Sequence, residues 1–176
     1  MSQNLENINQ EVLEKPPALY HGSSDKEISE FEPRATVFNH IQKGEYVIAT
    51  PDYKSSLPYL FSGEIDGQRI HWSAGSYDGQ QRVILPVTKE DFLRNDFGGA
   101  IYTLSPESFN SVKERANYEW FSKEKVFPVK KEEFNSIMDI WEKNDVHPYF
   151  LTKDQFEEFL TLNSGKEKSE FLNSIK

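Results

Sequence analysis

The sequence predicts an α+β domain, and three observations carry that prediction. Short apolar runs bounded by Gly, Pro, Ser and Asp fill roughly residues 18–130, the signature of strands closed by turns. From Lys131 onward the hydrophobic period lengthens, with Phe134, Ile137, Met138 and Trp141 at the i, i+3, i+4, i+7 positions of an amphipathic helix. Strand and helix patterns nowhere alternate as a parallel βαβ sheet requires, and no GxxxxGK[ST] run is present.

Along the chain, residues 1–15 are polar and acidic and read as a flexible leader closed by Pro16 and Pro17. Ala18–His21 is a short apolar strand that ends in the breaker group Gly22-Ser23-Ser24-Asp25. Tyr46–Ala49 reads as a buried strand. Thr50 is placed to cap a following helix with Pro51 at its first position, running to about Ser62 and kinked at Pro58. Gly63–Gly79 reads as loop with one short strand at Ile70–Trp72, and residues 88–99 as a second loop. Gln81–Val87, Ala100–Leu104, Glu119–Ser122 and Lys125–Val129 are strand-like. Two capping boxes, Thr152 with Gln155 and Ser164 with Glu167, open two further helices. Positions 134, 138, 141, 156, 159 and 171 are expected to be core or interface faces of helices.

Composition excludes several classes. With 36% apolar and 14% aromatic residues, a chain of 176 residues has enough to build a core. A formal net charge of −9 disfavours a non-specific nucleic-acid binder. Cysteine is absent, which removes disulfides, thiolate metal sites and cysteine nucleophiles together. No signal-peptide pattern and no membrane-length apolar run occur, so a soluble, cytoplasmic protein with no membrane association is expected.

GxGxxG, HExxH and GxSxG are missing, and His21, His40, His71 and His147 lack metal-ligand spacing, so no metal is expected. Three segments remain. Leu19-Tyr20-His21-Gly22-Ser23 sets an imidazole beside a bare backbone that permits close approach of a flat polar ligand. Gly44–Asp52 leads into Ser55, Ser56 and Tyr59. Tyr118-Glu119-Trp120-Phe121-Ser122 carries a carboxylate inside an aromatic strand, where acids are depleted and a buried one needs a partner or a function.

These three segments, in this order, resemble the motifs of the ADP-ribosyltransferase superfamily, which includes the poly(ADP-ribose) polymerases and the RNA 2′-phosphotransferases. LYHGS resembles the first motif, a strand ending in His-Gly-Ser/Thr; Gly44–Ala49 the second strand; Tyr59 the tyrosine of the next helix; and Glu119 the late glutamate. The chain is also similar to small bacterial proteins with an LYHGS start and an ATPD-type second motif. The resemblance covers about residues 18–130. It implies a split, mostly antiparallel sheet whose cleft binds NAD, with C-terminal helices appended. It implies three segments: a 1–17 leader, an 18–130 ADP-ribosyltransferase-like domain and a 131–176 helical extension.

Carried over residue by residue, the resemblance implies that His21 hydrogen-bonds a ribose hydroxyl of NAD and that the Gly22 backbone meets the nicotinamide carboxamide, with Ser23 alongside. Tyr59 or Tyr46 stacks on the nicotinamide. Arg34 pairs with the pyrophosphate, and Glu119 stabilises the oxocarbenium-like transition state. Matching on Gly44 favours Tyr46, whereas matching on Ala49 puts Val47 in the tyrosine position. The arginine set that a 2′-phosphotransferase needs is missing. Three functions stay open: an enzyme that cleaves NAD and gives ADP-ribose to a protein acceptor or to water; an inactive nucleotide-binding or protein-interaction module; and a toxin- or immunity-type regulator with an acidic docking surface. Each residue also has an ordinary alternative: His21 as a core histidine, Glu119 as an edge-strand surface acid, the tyrosines as packing groups, Arg34 as a solvated cation.

Overall fold

The computed structural model describes residues 13–36, 44–112 and 115–175. His40 and residues 1–12 of the expected leader lie outside them. In chain order the elements are β1 (Leu19–Ser23), β2 (Arg34–Thr36), β3 (Gly44–Ala49), α1 (Tyr53–Ser56), a 3-10 turn (Leu57–Leu60), β4 (Glu64–Ile65), β5 (Gln68–Arg69), β6 (Ser73–Tyr77) and β7 (Gln80–Leu85). There follow α2 (Lys89–Arg94), β8 (Gly99–Leu104), β9 (Trp120–Ser122), β10 (Pro128–Phe134), α3 (Ile137–Lys143), β11 (Val146–Phe150), α4 (Lys153–Thr161) and α5 (Gly165–Ser174). The α+β class and its mostly antiparallel pairing are therefore present. No described helix is long and apolar enough to cross a membrane.

The strands form three sheets, ordered β1-β8-β10, β2-β3-β9 and β11-β7-β6, with β4-β5 a separate hairpin. Only β11 and β7 run parallel among the described pairs. β8 has no polar face because it separates two cores. Ile101 faces one, with Leu57, Leu60, Val83, Phe92 and Trp141, while Ala100, Tyr102 and Leu104 face the other, with Leu19, Val47, Ala49 and Trp120. A third cluster packs Phe156, Phe159 and Leu172 of α4 and α5 onto Ile84. The Trp141 indole N–H donates to the Leu57 carbonyl at 2.9 Å, which ties α3 to the 3-10 turn.

Several expectations are corrected. The helix expected from Lys131 begins at Ile137, because residues 128–134 complete the β8 sheet as β10. Lys130–Glu132 and Lys131–Glu133 pair at 3.0 and 2.7 Å, the two-residue spacing of a strand face. The segment after residue 130 is not purely helical, since β11 joins the β7 sheet with Pro148 on its outer edge. The loop expected at 63–79 is largely two hairpins. Their turns, Asp66-Gly67 and Asp78-Gly79, hold all four residues at positive φ (48, 75, 52 and 74°), the type I′ geometry that Asp-Gly favours. The loop expected at 88–99 contains α2, capped by Thr88.

The expected helix to Ser62 ends as α-helix at Ser56, and Pro58 continues it as a 3-10 turn. Asp52, not Thr50, caps it, its carboxylate accepting from Ser55 N at 2.9 Å, because Thr50 is still held in a β-bridge. Both capping boxes of α4 and α5 form. At the near end of the expected leader, Leu13 packs against the second core and Lys15 donates to the Glu107 carbonyl.

Candidate functional site

The β1-β8-β10 and β2-β3-β9 sheets meet where β1 passes the end of β3, through an antiparallel bridge between Tyr20 and Thr50. Tyr20 N donates to Thr50 O at 2.7 Å and Thr50 N to Tyr20 O at 3.0 Å. Continued by two residues, that ladder would pair Gly22 with Ile48. Instead the Ile48 carbonyl takes the His21 Nδ1–H at 2.8 Å, so the imidazole wedges between the strands and they part. Backbone groups of residues i and i+2 point to the same edge of a strand. The N–H and C=O of Gly22 therefore turn toward the gap opened at His21, whereas β8 takes the opposite edge of β1.

Leu19 belongs to the core under β3 and β9, while Tyr20 packs on the core under α1 and meets Tyr53 edge-on at 5.4 Å. Strand alternation puts Gly22 on the Tyr20 side, where α1 presses so closely that a Cβ would lie 2.2 Å from the Ser56 carbonyl oxygen. Glycine at this position is thus required by the approach of α1 as well as by any ligand. The Ser23 hydroxyl accepts from Asp25 N at 3.1 Å and shapes the turn that leaves β1.

His21 also touches the Phe31 ring, centroid to centroid at 4.7 Å. Burial lowers its pKa, the Ile48 carbonyl opposes that shift, and the positive charge of Arg34 adds to the lowering. The imidazole is therefore held neutral, with Nδ1 committed and Nε2 left as the nitrogen for another partner. Arg34 lies on β2 opposite Tyr46 of β3. The Tyr46 ring folds back over Gly44, meets Phe121 edge-on at 6.0 Å and receives the Lys123 ammonium at 5.7 Å.

Glu119 forms a second group. The register Ala49↔Trp120, extended by one residue, brings Glu119 level with Thr50 and hence with Tyr20. Two strand spacings separate β1 from β9 there, roughly 10 Å. Arg115 builds the turn that presents this acid: its carbonyl accepts from Tyr118 N at 2.8 Å and Glu119 N at 2.9 Å. Its guanidinium then holds Glu119 Oε2 through Nη2 at 2.9 Å and Nε at 3.2 Å. Tyr59, an exposed residue, has its hydroxyl within electrostatic reach of both Glu119 and Arg115. Desolvation raises the phenol pKa, the Glu119 carboxylate raises it further, and Arg115 opposes. The far side of the Tyr59 ring rests on Trp72 at 5.9 Å.

The fold thus brings His21 within electrostatic reach of Arg34, and Tyr59 within reach of Glu119. Tyr46 stands on the Arg34 side. Arg115 adjoins Glu119 although sequence reasoning did not single it out, its trace in the sequence being the four-residue spacing from Glu119; Ile48 and Ser56, inside the second candidate segment, act through their carbonyls. Surface cavities of about 320 Å³, beside Phe61, Asn95 and Phe97, and about 400 Å³, beside Ile28 and Val129, contain none of the seven expected site residues. Among the described residues no three His, Cys, Asp or Glu side chains group to hold a metal ion. No family model matches the chain, and neither a curated protein nor a solved structure does.

Proposed function

We propose that the chain is an ADP-ribosyltransferase-type domain that binds NAD in the gap between β1 and β3 and cleaves the nicotinamide–ribose bond. The observation that supports this reading is the end of the β1–β3 ladder at His21, where a side-chain bond to Ile48 replaces backbone pairing and sets a neutral imidazole beside the Gly22 backbone edge. Gly22 N–H and C=O complement a primary carboxamide, which offers one acceptor and two donors. His21 Nε2 meets a ribose hydroxyl, Arg34 the pyrophosphate, and Tyr59 or Tyr46 the nicotinamide face. As the bond breaks, its electron pair goes to the nicotinamide nitrogen and positive charge grows on the ribose. Glu119 stabilises that charge, and the anomeric carbon then bonds to an oxygen of water or of a protein acceptor, whose proton leaves to solvent.

The Arg115–Glu119 ion pair favours a second reading, in which the fold binds a nucleotide or a protein without turnover. A carboxylate neutralised by a guanidinium at 2.9 Å stabilises a developing cation poorly, so turnover requires Arg115 to release Oε2. The two readings separate in one experiment. Nicotinamide release from NAD is measured for the wild type, Glu119→Gln and Arg115→Gln, with melting curves as folding controls. Release lost in Glu119→Gln supports the enzyme. An NAD-dependent rise in melting temperature without release supports the binding module. Neither release nor a thermal shift in any of the three proteins refutes NAD as ligand.

A further inference from the structure

Arg82 lies on β7, the middle strand of the β11-β7-β6 sheet, and is 2% exposed. It forms no salt bridge among the described residues, and its Nε and Nη1 have no hydrogen-bond acceptor. Nη2 donates to the Gln80 side-chain oxygen at 3.1 Å, and the Tyr149 ring lies 5.5 Å from the guanidinium carbon. A buried, uncompensated ion is costly, and one cation–π contact offsets only part of that penalty. A mid-sheet position that needed only bulk would be served as well by an apolar residue.

The surroundings are those of an anion receptor. Gly75 and His147 stand opposite Arg82 on the flanking strands. With no side chain at Gly75, the Tyr77 ring folds over it, and a Cβ there would lie 2.9 Å from the Tyr77 hydroxyl oxygen. That places a hydroxyl donor in the same row as the cation. Asp78, the carboxylate of the adjoining turn, is taken by the Ser169 hydroxyl. Gln80 is exposed and belongs to the hairpin end, so rotation of one long side chain releases Nη2, the guanidinium nitrogen it holds.

We propose that Arg82 anchors a binding site for a small oxyanion, a phosphate or carboxylate group, entered from the Gln80 side, with Tyr77 as a second donor. The amide oxygen of Gln80 gives way to an anion oxygen at Nη2, and a second anion oxygen pairs with the neighbouring N–H of one guanidinium edge. The site is separate from the β1–β3 gap and does not depend on the NAD reading.

Thermal melting of the whole chain tests it, in sodium phosphate, sodium acetate and sodium chloride at matched ionic strength, for the wild type and Arg82→Met. Phosphate at about five times its Kd is expected to raise the wild-type midpoint by roughly 2–4 °C over chloride, and to give Arg82→Met no such increment. A response to acetate in place of phosphate assigns the site to carboxylates. Equal stabilisation of both proteins marks general salt exclusion and overturns the proposal, as does a wild type indifferent to both oxyanions. Should Arg82→Met fail to fold, the Arg82 Nε–H resonance of the wild type decides: a saturable shift with phosphate supports the site, and a fixed resonance overturns it.

Discussion

Gly22→Ala is the sharpest test of how β1 is positioned. The backbone at Gly22 does not have positive φ, so alanine is sterically allowed by the chain itself. In an open environment the exchange would stabilise the protein by about 0.4–1 kcal/mol, since alanine has less freedom to lose on folding. The packing predicts the opposite sign. The new Cβ would stand 2.2 Å from the Ser56 carbonyl oxygen and 3.3 Å from Ile101 Cδ1, and contacts below 3.0 Å do not occur, so β1 and α1 must separate by at least 0.8 Å (3.0 minus 2.2). The obstructing atom is backbone at the junction of α1 and the 3-10 turn, anchored by Trp141 on Leu57 O at 2.9 Å, so it has little freedom to yield. Overpacking of a tight site costs about 1–3 kcal/mol, and a backbone obstacle belongs at the upper end. For a chain of this size that lowers the melting midpoint by roughly 6–12 °C. Circular dichroism melts of the two proteins measure it directly. A midpoint equal to or above wild type would refute the close approach of α1 to β1, and with it the view that helix packing demands glycine here.

Two further predictions concern the same frame. His21 is buried and neutral, so the unfolded chain takes up a proton near pH 6.5 while the folded chain resists it until lower pH. Its contribution is therefore present above about pH 6.5 and is lost as pH falls through the folded-state value; urea titrations across this range should show a steeper loss for wild type than for His21→Gln, and parallel curves would count against a buried imidazole. Asp96 accepts from Ile137 N at 2.6 Å, Met138 N at 3.0 Å and the Ser136 hydroxyl at 2.9 Å, which satisfies the first turn of α3. Asp96→Ala should cost about 1–2 kcal/mol in chemical denaturation, and a change below about 0.5 kcal/mol would show that Ser136 caps the helix unaided.

Much of the local structure was legible because short-range rules governed it. Thr152/Gln155 and Ser164/Glu167 formed their capping boxes because both partners lie within one turn and answer only to each other. The Asp66-Gly67 and Asp78-Gly79 hairpins were equally legible by their turn chemistry, yet the polar residues around them suggested loop, since β4 and β5 have little apolar surface. Lys130–Glu133 misled for a different reason. Charged residues one after another carry no hydrophobic period, and only the demand of β8 for a second partner makes them a strand.

By itself, the sequence determined the α+β class, because strand runs, turns and helix caps each depend on residues adjacent in the chain. The tertiary structure decided the rest. It set His21 Nδ1 on a carbonyl 27 positions away, put Arg115 on Glu119, and left Arg82 without a counter-ion among the described residues. Hydrogen-bond partners and burial are properties of strands brought side by side, and no periodicity along one strand encodes which edge of another it will meet.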